Sequence, residues 1–402
     1  MAWNSIKRLF GLGGGPAGSV EGRPAGSVEE RTRVDVEGAG FACDLLGALA
    51  TGQNAVFSPA SVRTALGMAL LAARGRTAEE LASGLRLGAT APADFHAAQG
   101  ARMARWSDAS RPYALVAANA MFVAEGSRRA SGAEASLAER YLAPMRALDF
   151  AGDPSGASGE INRWVKEVTR GLVPTIAAPG AITSDTRLVI MNALYFKGEW
   201  RAKFLRDATH PAPFEVSPGE RPMVATMQQT AQHRVWVGPE AEVLEMAYRG
   251  DDLAMTFLVP PRGVTLSDFE RRVRPETLTT WLSRLQEERT RVTLPRFTID
   301  AGAVSLRAPL QSMGIRAPFE GASADFGGFF EEPLVLDDVL HRARIDVNEE
   351  GTEAAAATAA LARQSHDRSQ PLVFTIDRPF LFLLRDLRDG SILFLGRVTD
   401  PR

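Results

Sequence analysis

The stretch that decides the fold is EEGTEAAAATAALARQSHDRSQ, residues 349–370, in which small side chains give way to polar ones. Because alanine is the best helix former, Glu353 to Ala362 taken alone favours a helix. The stretch nevertheless lies between a strand-like segment, Val335 to Val347, and an apolar run, Pro379 to Val398, that is typical of core strands. Small, exposed residues just before the last core strands therefore need another explanation.

Written as a strand, residues 352–360 have two different faces, because alternate residues of a strand point to opposite sides. One face carries only small uncharged side chains: Thr352, Ala354, Ala356, Thr358 and Ala360. The other face carries Glu353, Ala355, Ala357 and Ala359. Such a strand can slip between two existing strands without overpacking the core beneath it. An alanine-rich helix or an unstructured loop is the competing interpretation, and this stretch alone leaves both open.

Composition places the chain among ordinary globular proteins. It has 402 residues, 45% hydrophobic and 23% charged, with a net charge of −2, which gives no electrostatic case for binding nucleic acid or an anionic membrane. The only cysteine, Cys43, excludes an intrachain disulfide and a CxxC metal site. No apolar run reaches the roughly 18 residues of a membrane-spanning helix. We expect no metal, no cofactor and a monomer.

The N-terminal residues 1–33 differ in composition from the rest. The repeat PAGSVEG/PAGSVEE is typical of a flexible linker, so we expect a low-complexity, disordered tail and one domain over residues 34–402. Lys7 and Arg8 interrupt the apolar start, which argues against a signal peptide, although a membrane-surface helix remains an alternative. A cytoplasmic location is favoured, and a secreted or surface location stays open.

The remaining patterns predict an α+β protein. Helices and antiparallel strands are segregated, without a βαβ rhythm. We expect two short strands at Val224–Met227 and Arg234–Val237, a single strand at Arg291–Ile299, and a capping box opening a helix at Thr77.

Motifs for catalysis are lacking. GxSxG, GxxxxGK[ST], HExxH and GxGxxG before a helix do not occur, and the five histidines are scattered. The neighbours Ser365 and His366 would point to opposite sides of an extended chain, so they do not form a nucleophile–base pair. Nothing in the sequence indicates an enzyme.

The segment NEEGTEAAAATAA, residues 348–360, resembles the proximal hinge of the reactive-centre loop of serpins, a loop that would span residues 349–372 here. Further segments resemble the same family in its order along residues 34–402. These are NAVFSPASVRTALGMALLAARGRTAEEL (54–81), INRWVKEVTRGLVPTI (161–176), VIMNALYFKGEW (189–200), VTLPRFTID (292–300), ADFGGF (324–329), DRPFLFLLRD (377–386) and ILFLGRVTDP (392–401).

The resemblance implies a fold of about nine helices around three mainly antiparallel sheets, with the reactive loop exposed. It also implies an inhibitory member without disulfides, similar to prokaryotic ones. A target protease would cleave the loop, form an acyl-enzyme and be trapped in a covalent 1:1 complex when the loop inserts into the main sheet. A non-inhibitory serpin, acting as a binding or chaperone protein, is the alternative.

The resemblance also assigns roles to individual residues. Its hinge corresponds to Glu349, Gly351, Thr352, Ala354, Ala355, Ala356, Ala357 and Thr358. The hydrogen-bonded shutter beneath the sheet corresponds to Ser61, Asn192 and His341, and the breach at the top of the sheet to Trp200. No charge or proline stands at Thr352 or Ala354, where either would resist insertion, and this favours the inhibitory type.

The family's count from Glu349 places the reactive bond at Ser365–His366, with Arg363–Gln364 and Arg368–Ser369 as alternatives. A serine before the cut would suit an elastase-like or subtilisin-like protease, and an arginine a trypsin-like one. Arg102 and Arg105 are too few to resemble the family's heparin-binding helix, so we predict no heparin-type cofactor.

Overall fold

The computed structural model describes residues 32–49, 52–108, 110–352 and 370–402. The helices in these ranges are α1 (Val36–Ala48), α2 (Pro59–Ala72), α3 (Gly75–Gly84), α4 (Pro92–Trp106), α5 (Ala133–Tyr141), α6 (Pro154–Val168), α7 (Leu266–Glu270), α8 (Pro275–Ser283) and α9 (Arg307–Ser312). Two 3₁₀ turns lie at Arg206–Ala208 and Ala317–Phe319. None of the helices so described is long and apolar enough to cross a membrane.

The strands are β1 (Ala55–Phe57), β2 (Tyr113–Ala124), β3 (Met145–Leu148), β4 (Leu188–Glu199), β5 (His210–Pro213), β6 (Met223–Val237), β7 (Glu242–Ala247), β8 (Leu253–Val259), β9 (Gln286–Pro295), β10 (Phe297–Ser305), β11 (Asp338–Val347), β12 (Gly351–Thr352), β13 (Leu372–Thr375), β14 (Phe380–Asp386) and β15 (Ile392–Val398). Most pairings between them are antiparallel, and the α+β class is confirmed.

A six-stranded sheet has the order β10-β11-β12-β4-β2-β3. Its two central long strands, β4 and β11, are parallel neighbours, with residues 338–344 opposite residues 189–195. We call this contact the seam. Above it, the short β12 lies between β11 and β4 and pairs with both. Gly351 and Thr352 thus already separate β4 from β11 at the top of the sheet.

Both faces of this sheet are covered, which explains why β4 is apolar throughout. On one face, Phe122, Met191 and Leu340 share a buried cluster with Ile161 and Val165 of α6. On the other face, alternate residues of the same strands share a cluster with the almost wholly buried α2. The helix α6 therefore lies over the seam's outer side and α2 beneath it.

The remaining strands form one nine-stranded sheet in the order β1-β15-β14-β8-β7-β6-β9-β13, with β5 on the side of β6. The long β6 pairs with β9 over residues 226–235 and with β7 over residues 234–237. The resemblance implied three sheets, whereas the described strands form two, because β6 pairs with both β7 and β9 and so joins their strands into one sheet.

Three local predictions were wrong. The two strands expected at 224–227 and 234–237 are the single β6, and the strand expected at Arg291–Ile299 divides at Arg296 into β9 and β10, which belong to different sheets. Thr77 does not cap α3; instead, its hydroxyl donates to the Ser323 carbonyl and accepts from the Asp325 amide. The Thr77 side chain therefore binds partners far away in the sequence, whereas the local pattern had predicted that it caps the helix.

Candidate functional site

The chain reverses direction at the top of β11 in a tight turn, residues 348–352, which we call the hinge turn. The side-chain oxygen of Asn348 accepts hydrogen bonds from the backbone amides of Glu350 (3.0 Å) and Gly351 (3.3 Å), and Val347 then pairs with Thr352. Gly351 has φ +152°, and a Cβ there would lie 2.0 Å from the Gly198 carbonyl oxygen. Only glycine therefore lets the chain turn this close to β4.

An aromatic stack holds the hinge turn from below. The rings of Trp200 and Tyr248 are stacked with centroids 4.5 Å apart, and both are buried. The Trp200 indole N–H donates to the Asn348 carbonyl at 3.0 Å, and the Tyr248 hydroxyl is hydrogen-bonded to the Thr352 hydroxyl at 2.6 Å. The structure thus brings the predicted residues Trp200 and Thr352 together, through a tyrosine that the sequence did not single out.

Two glutamates of the hinge turn bind cationic and hydroxyl partners. Glu349 accepts from the Thr209 hydroxyl at 2.7 Å and lies 3.6 Å from Arg296. Glu350 lies 2.9 Å from Lys203 and 3.6 Å from Arg206. Partial burial opposes protonation of Lys203, but its hydrogen bonds to Glu350 and Glu199 prevail and raise its pKa. The contacts with Thr209, Lys203 and Arg206 tie the hinge turn to the segment between β4 and β5, and the contact with Arg296 ties it to the β9–β10 junction.

A buried polar network lies beneath the middle of the seam. Asn192 of β4 donates to the Ser61 hydroxyl (2.6 Å) and carbonyl (3.0 Å) on α2, and also to Asn119 of β2. The side-chain oxygen of Asn192 is 2.7 Å from Nδ1 of His341, the residue opposite Asn192 on β11. The three residues predicted for the shutter therefore do meet, and Asn192 is their centre; with Asn119 we call them the shutter network.

The partners of His341 fix its protonation state. Its Nε2 accepts the backbone N–H of Ser58 at 3.0 Å, so the proton lies on Nδ1 and is donated to Asn192. Burial lowers the pKa of His341 to about 4, and protonation of Nε2 would set two N–H groups against each other. The network is therefore neutral and complete only when His341 is unprotonated.

Other predicted site residues lie outside the described residues. These are the distal hinge positions Ala354, Ala355, Ala356, Ala357 and Thr358, and the candidate reactive bonds at Ser365, His366, Arg363 and Arg368. The proximal hinge residues Glu349, Gly351 and Thr352 are described, and all three are buried.

Arg102 and Arg105, considered for polyanion binding, are engaged within the protein. Both pair with Asp389 on the β14–β15 connection, and Arg102 also lies 3.3 Å from Asp35. The side chain of Arg102 is almost wholly buried. Across the described ranges, no three or more His, Cys, Asp or Glu side chains gather as a metal site would require.

The sequence comparison decides the family. A family model described as "Serpin (serine protease inhibitor)" matches residues 37–401. The chain belongs to the serpin family. The match covers most of the chain and includes the hinge turn, the stacked Trp200 and the shutter network.

Relatives of this serpin include a protein that is named as an inhibitor. It is 35% identical over 368 residues to Iripin-2 of Ixodes ricinus, covering 89% of this chain and 91% of the relative. It is also 35% identical over 357 residues to the leukocyte elastase inhibitor of Bos taurus, covering 87% and 93%.

A solved structure confirms the serpin fold. Human thyroxine-binding globulin in complex with thyroxine superimposes with a TM-score of 0.83 at 26% identity, covering 93% of this chain and 100% of that one. The family therefore includes inhibitors of proteases and, in this fold, a protein that binds a small molecule.

Proposed function

We propose that this serpin is a suicide-substrate inhibitor of serine endopeptidases, possessing a loop that is cleaved and then inserts between β4 and β11. The observation that carries the proposal is β12. Gly351 and Thr352 already lie between the two strands, where Thr352 pairs with Val347 on one side and Gly198 on the other. A strand that has begun to enter a sheet can lengthen between the same two neighbours once they separate.

The rest of the seam defines what insertion must do. Seven residues of β11 face seven of β4 directly, and these pairs must separate for a full strand to enter. The parallel pairing lost is less stable per residue than the antiparallel pairing gained by a strand returning between them. On one face the residues due to enter are all small and uncharged, namely Thr352, Ala354, Ala356, Thr358 and Ala360, so that face of the sheet gains no bulky side chain.

The target is proposed from the loop sequence and the relatives' names. With Ser365 before the cut, an elastase-like or subtilisin-like enzyme is the expected partner, and the named relative that inhibits leukocyte elastase agrees with this choice. Arg363 and Arg368 remain the alternatives for a trypsin-like enzyme. Cysteine proteases that accept the same loop are a further class to test.

The test is incubation with trypsin, elastase and subtilisin in turn, followed by a denaturing gel and mass spectrometry of the released peptide. We expect a covalent band and a C-terminal peptide beginning at His366. The same band with a peptide beginning at Gln364 or Ser369 would keep the mechanism and replace the reactive bond. Cleavage by all three enzymes without a covalent band would contradict the inhibitory mechanism for these classes.

A binding function without inhibition is the second candidate, and the likeness to thyroxine-binding globulin is the observation that favours it. A serpin of that kind is expected to be cleaved without forming a covalent complex and without gaining stability. Because the hinge turn carries neither charge nor proline at Thr352, we rank this candidate below inhibition.

A further inference from the structure

The chain enters the serpin domain across the turn that joins its last two strands. The Arg385 guanidinium, near the end of β14, donates to the Arg33 carbonyl at 2.8 Å, although the two residues are 352 positions apart in the sequence. The amide of Asp35 donates to the carbonyl of Gly390, in the turn between β14 and β15, at 3.1 Å. We call these two pairs of residues the N-terminal clasp.

The side chain of Asp35 fixes the clasp to two helices. Its carboxylate lies 3.1 Å from the guanidinium of Arg63 on α2 and 3.3 Å from that of Arg102 on α4, and both arginine side chains are nearly buried. Arg102 also pairs with Asp389, the neighbour of Gly390. Because buried cations need acidic partners, these ion pairs hold the point where the chain enters against the body of the domain.

Gly390 makes the close approach of the two segments possible. Its φ of +76° belongs to the left-handed region, which favours glycine. A Cβ at this position would lie 2.6 Å from the Arg33 carbonyl oxygen and 2.8 Å from the Asp35 nitrogen. A side chain at residue 390 would therefore push the clasp open.

The clasp shields a peptide bond that suits a protease specific for basic residues. The side chain of Arg33 is exposed, whereas Val34 packs against the main hydrophobic cluster. A serine protease must place the carbonyl of the bond that it cuts in its oxyanion hole. The Arg33 carbonyl is instead bound to Arg385, and the next segment is held by the Asp35 amide. The Arg33–Val34 bond is therefore available to an enzyme only when the clasp opens.

We propose that Arg33–Val34 is a gated processing site, which a trypsin-like protease hydrolyses when the clasp opens. Water adds across the peptide bond, so that Arg33 leaves with a carboxylate and Val34 keeps a protonated amine. The cut separates residues 1–33, with the apolar and basic residues of their first part, from the serpin domain. The bond lies outside the reactive loop, so the proposal does not depend on the inhibitory mechanism.

The experiment uses the full chain with Arg31→Gln, which removes a competing cut two residues earlier. The protein is treated briefly with a trace of trypsin, and mass spectrometry quantifies the tail peptide that ends at Arg33. A synthetic peptide of residues 28–39 with the same substitution shows the rate for an unshielded bond. We expect the parent chain to be cut at this bond about 100-fold more slowly than the peptide, because the clasp must open first.

Gly390→Ala tests the gate in that parent chain. The added methyl group would crowd the Arg33 carbonyl and the Asp35 amide, so we expect the tail peptide to be released about tenfold faster. The matched control is Gly219→Ala, in the connection from β5 to β6. Gly219 also has a positive φ, +87°, but a Cβ there would meet no atom of the described residues within 4 Å. We expect its release rate to stay within about twofold of the parent chain.

Hydrogen exchange separates opening of the clasp from a general loss of stability. In Gly390→Ala we expect the Asp35 amide to exchange about tenfold faster, while the amides of β4 keep the rate of the parent chain. Unchanged release of the tail peptide despite faster exchange at Asp35 would overturn the gate. Equal rates for the parent chain and the synthetic peptide would overturn it as well. Neither result involves a covalent complex with a protease, so each is distinguishable from a failure of the proposed function.

Discussion

At the top of the seam the hinge turn already separates β4 from β11, whereas at its middle the two strands pair directly over the shutter network. The partners differ as well. The top is held by charged groups near solvent, with Lys203 28% and Arg206 65% exposed, around the buried Trp200–Tyr248 stack. The middle is held by neutral amide, hydroxyl and imidazole groups that are buried.

The difference indicates how the sheet can stay closed and still open in one direction. Exposed ion pairs are weak and are readily exchanged for water, whereas each buried polar group costs free energy if it loses its partner. Under the proposed mechanism, opening would therefore start at the top at low cost, and the shutter network would supply the larger resistance further down. Each of the following changes tests one part of this contrast.

The largest effect is expected from a charge at the hinge turn. Thr352 is buried against Tyr248, so the side chain of Thr352→Arg cannot be accommodated there or in the inserted strand. The variant is expected to be cleaved as an ordinary substrate, with the yield of covalent complex reduced about 100-fold or more on a denaturing gel. Thr352→Ser, which keeps the hydroxyl, is the control; a normal yield from Thr352→Arg would show that the hinge does not insert.

The next effect concerns the centre of the shutter network. Asn192→Ala leaves Ser61, Asn119 and His341 without a shared partner, and we expect the free energy of unfolding to fall by about 2–4 kcal/mol. Denaturant titration measures this loss. Asn348→Ala, which removes a hydrogen-bonding side chain at the hinge turn, should cost clearly less. A larger loss of stability in Asn348→Ala than in Asn192→Ala would contradict the contrast between the middle and the top of the seam.

Acid is expected to weaken the middle of the seam. The pKa of His341 is about 4 in the folded protein against an ordinary value of 6.5, so its neutral form is the one that folding favours. That contribution is complete above pH 6.5 and is lost as pH falls toward 4, amounting to at most about 3 kcal/mol. Buried His96 and His233 also have a pKa of about 4 and add to the loss.

Thermal midpoints between pH 7.5 and pH 4.5 measure this dependence. His341→Asn is expected to flatten the curve, because one of the three buried histidines no longer titrates. His210→Asn, at an exposed position on β5, is the control and should leave the curve unchanged. A curve as steep in His341→Asn as in the wild type would remove His341 from the account.

The smallest effect is expected from the ion pairs that hold the hinge turn. Glu350→Gln removes the ion pairs with Lys203 and Arg206 and should cost about 0.5–1 kcal/mol at low salt. Mobile ions screen exposed charges over a length of about 10 Å at 0.1 M salt, and this length is shorter at higher salt. The difference in stability between Glu350→Gln and the wild type should therefore shrink in 0.5 M salt. Glu287→Gln, whose pair with Arg201 spans 3.8 Å, is the control. A salt-independent loss would indicate that packing rather than charge holds Glu350.

The sequence predicted those strands that a local pattern of apolar residues defines. The apolar run Pro379 to Val398, predicted to form core strands, does form β14 and β15, because short apolar runs between turns define such strands. Local pattern failed where distant partners decide. Arg291–Ile299 reads as one alternating strand, yet Arg296, whose amide binds the Ala225 carbonyl, marks the passage from one sheet to the other.

The site divides in the same way. Ser61, Asn192, His341 and Trp200 were found through the family resemblance, and the structure brings them to the seam. Tyr248 and Asn119 were missed, because each acts only through a partner far away in the chain. An asparagine inside the apolar run AANAMF was the one local hint, since a buried amide needs a partner.

The central claim is that the loop enters the seam after cleavage, and the thermal midpoint before and after cutting the loop tests it most directly. The loop is cut within residues 353–369 by a protease that is not trapped, and the two chains are left together. We expect the midpoint to rise by more than about 10 °C, because insertion adds a full strand and several kcal/mol of stability. An unchanged or lower midpoint would mean that the cleaved loop stays outside the sheet, and would contradict the account.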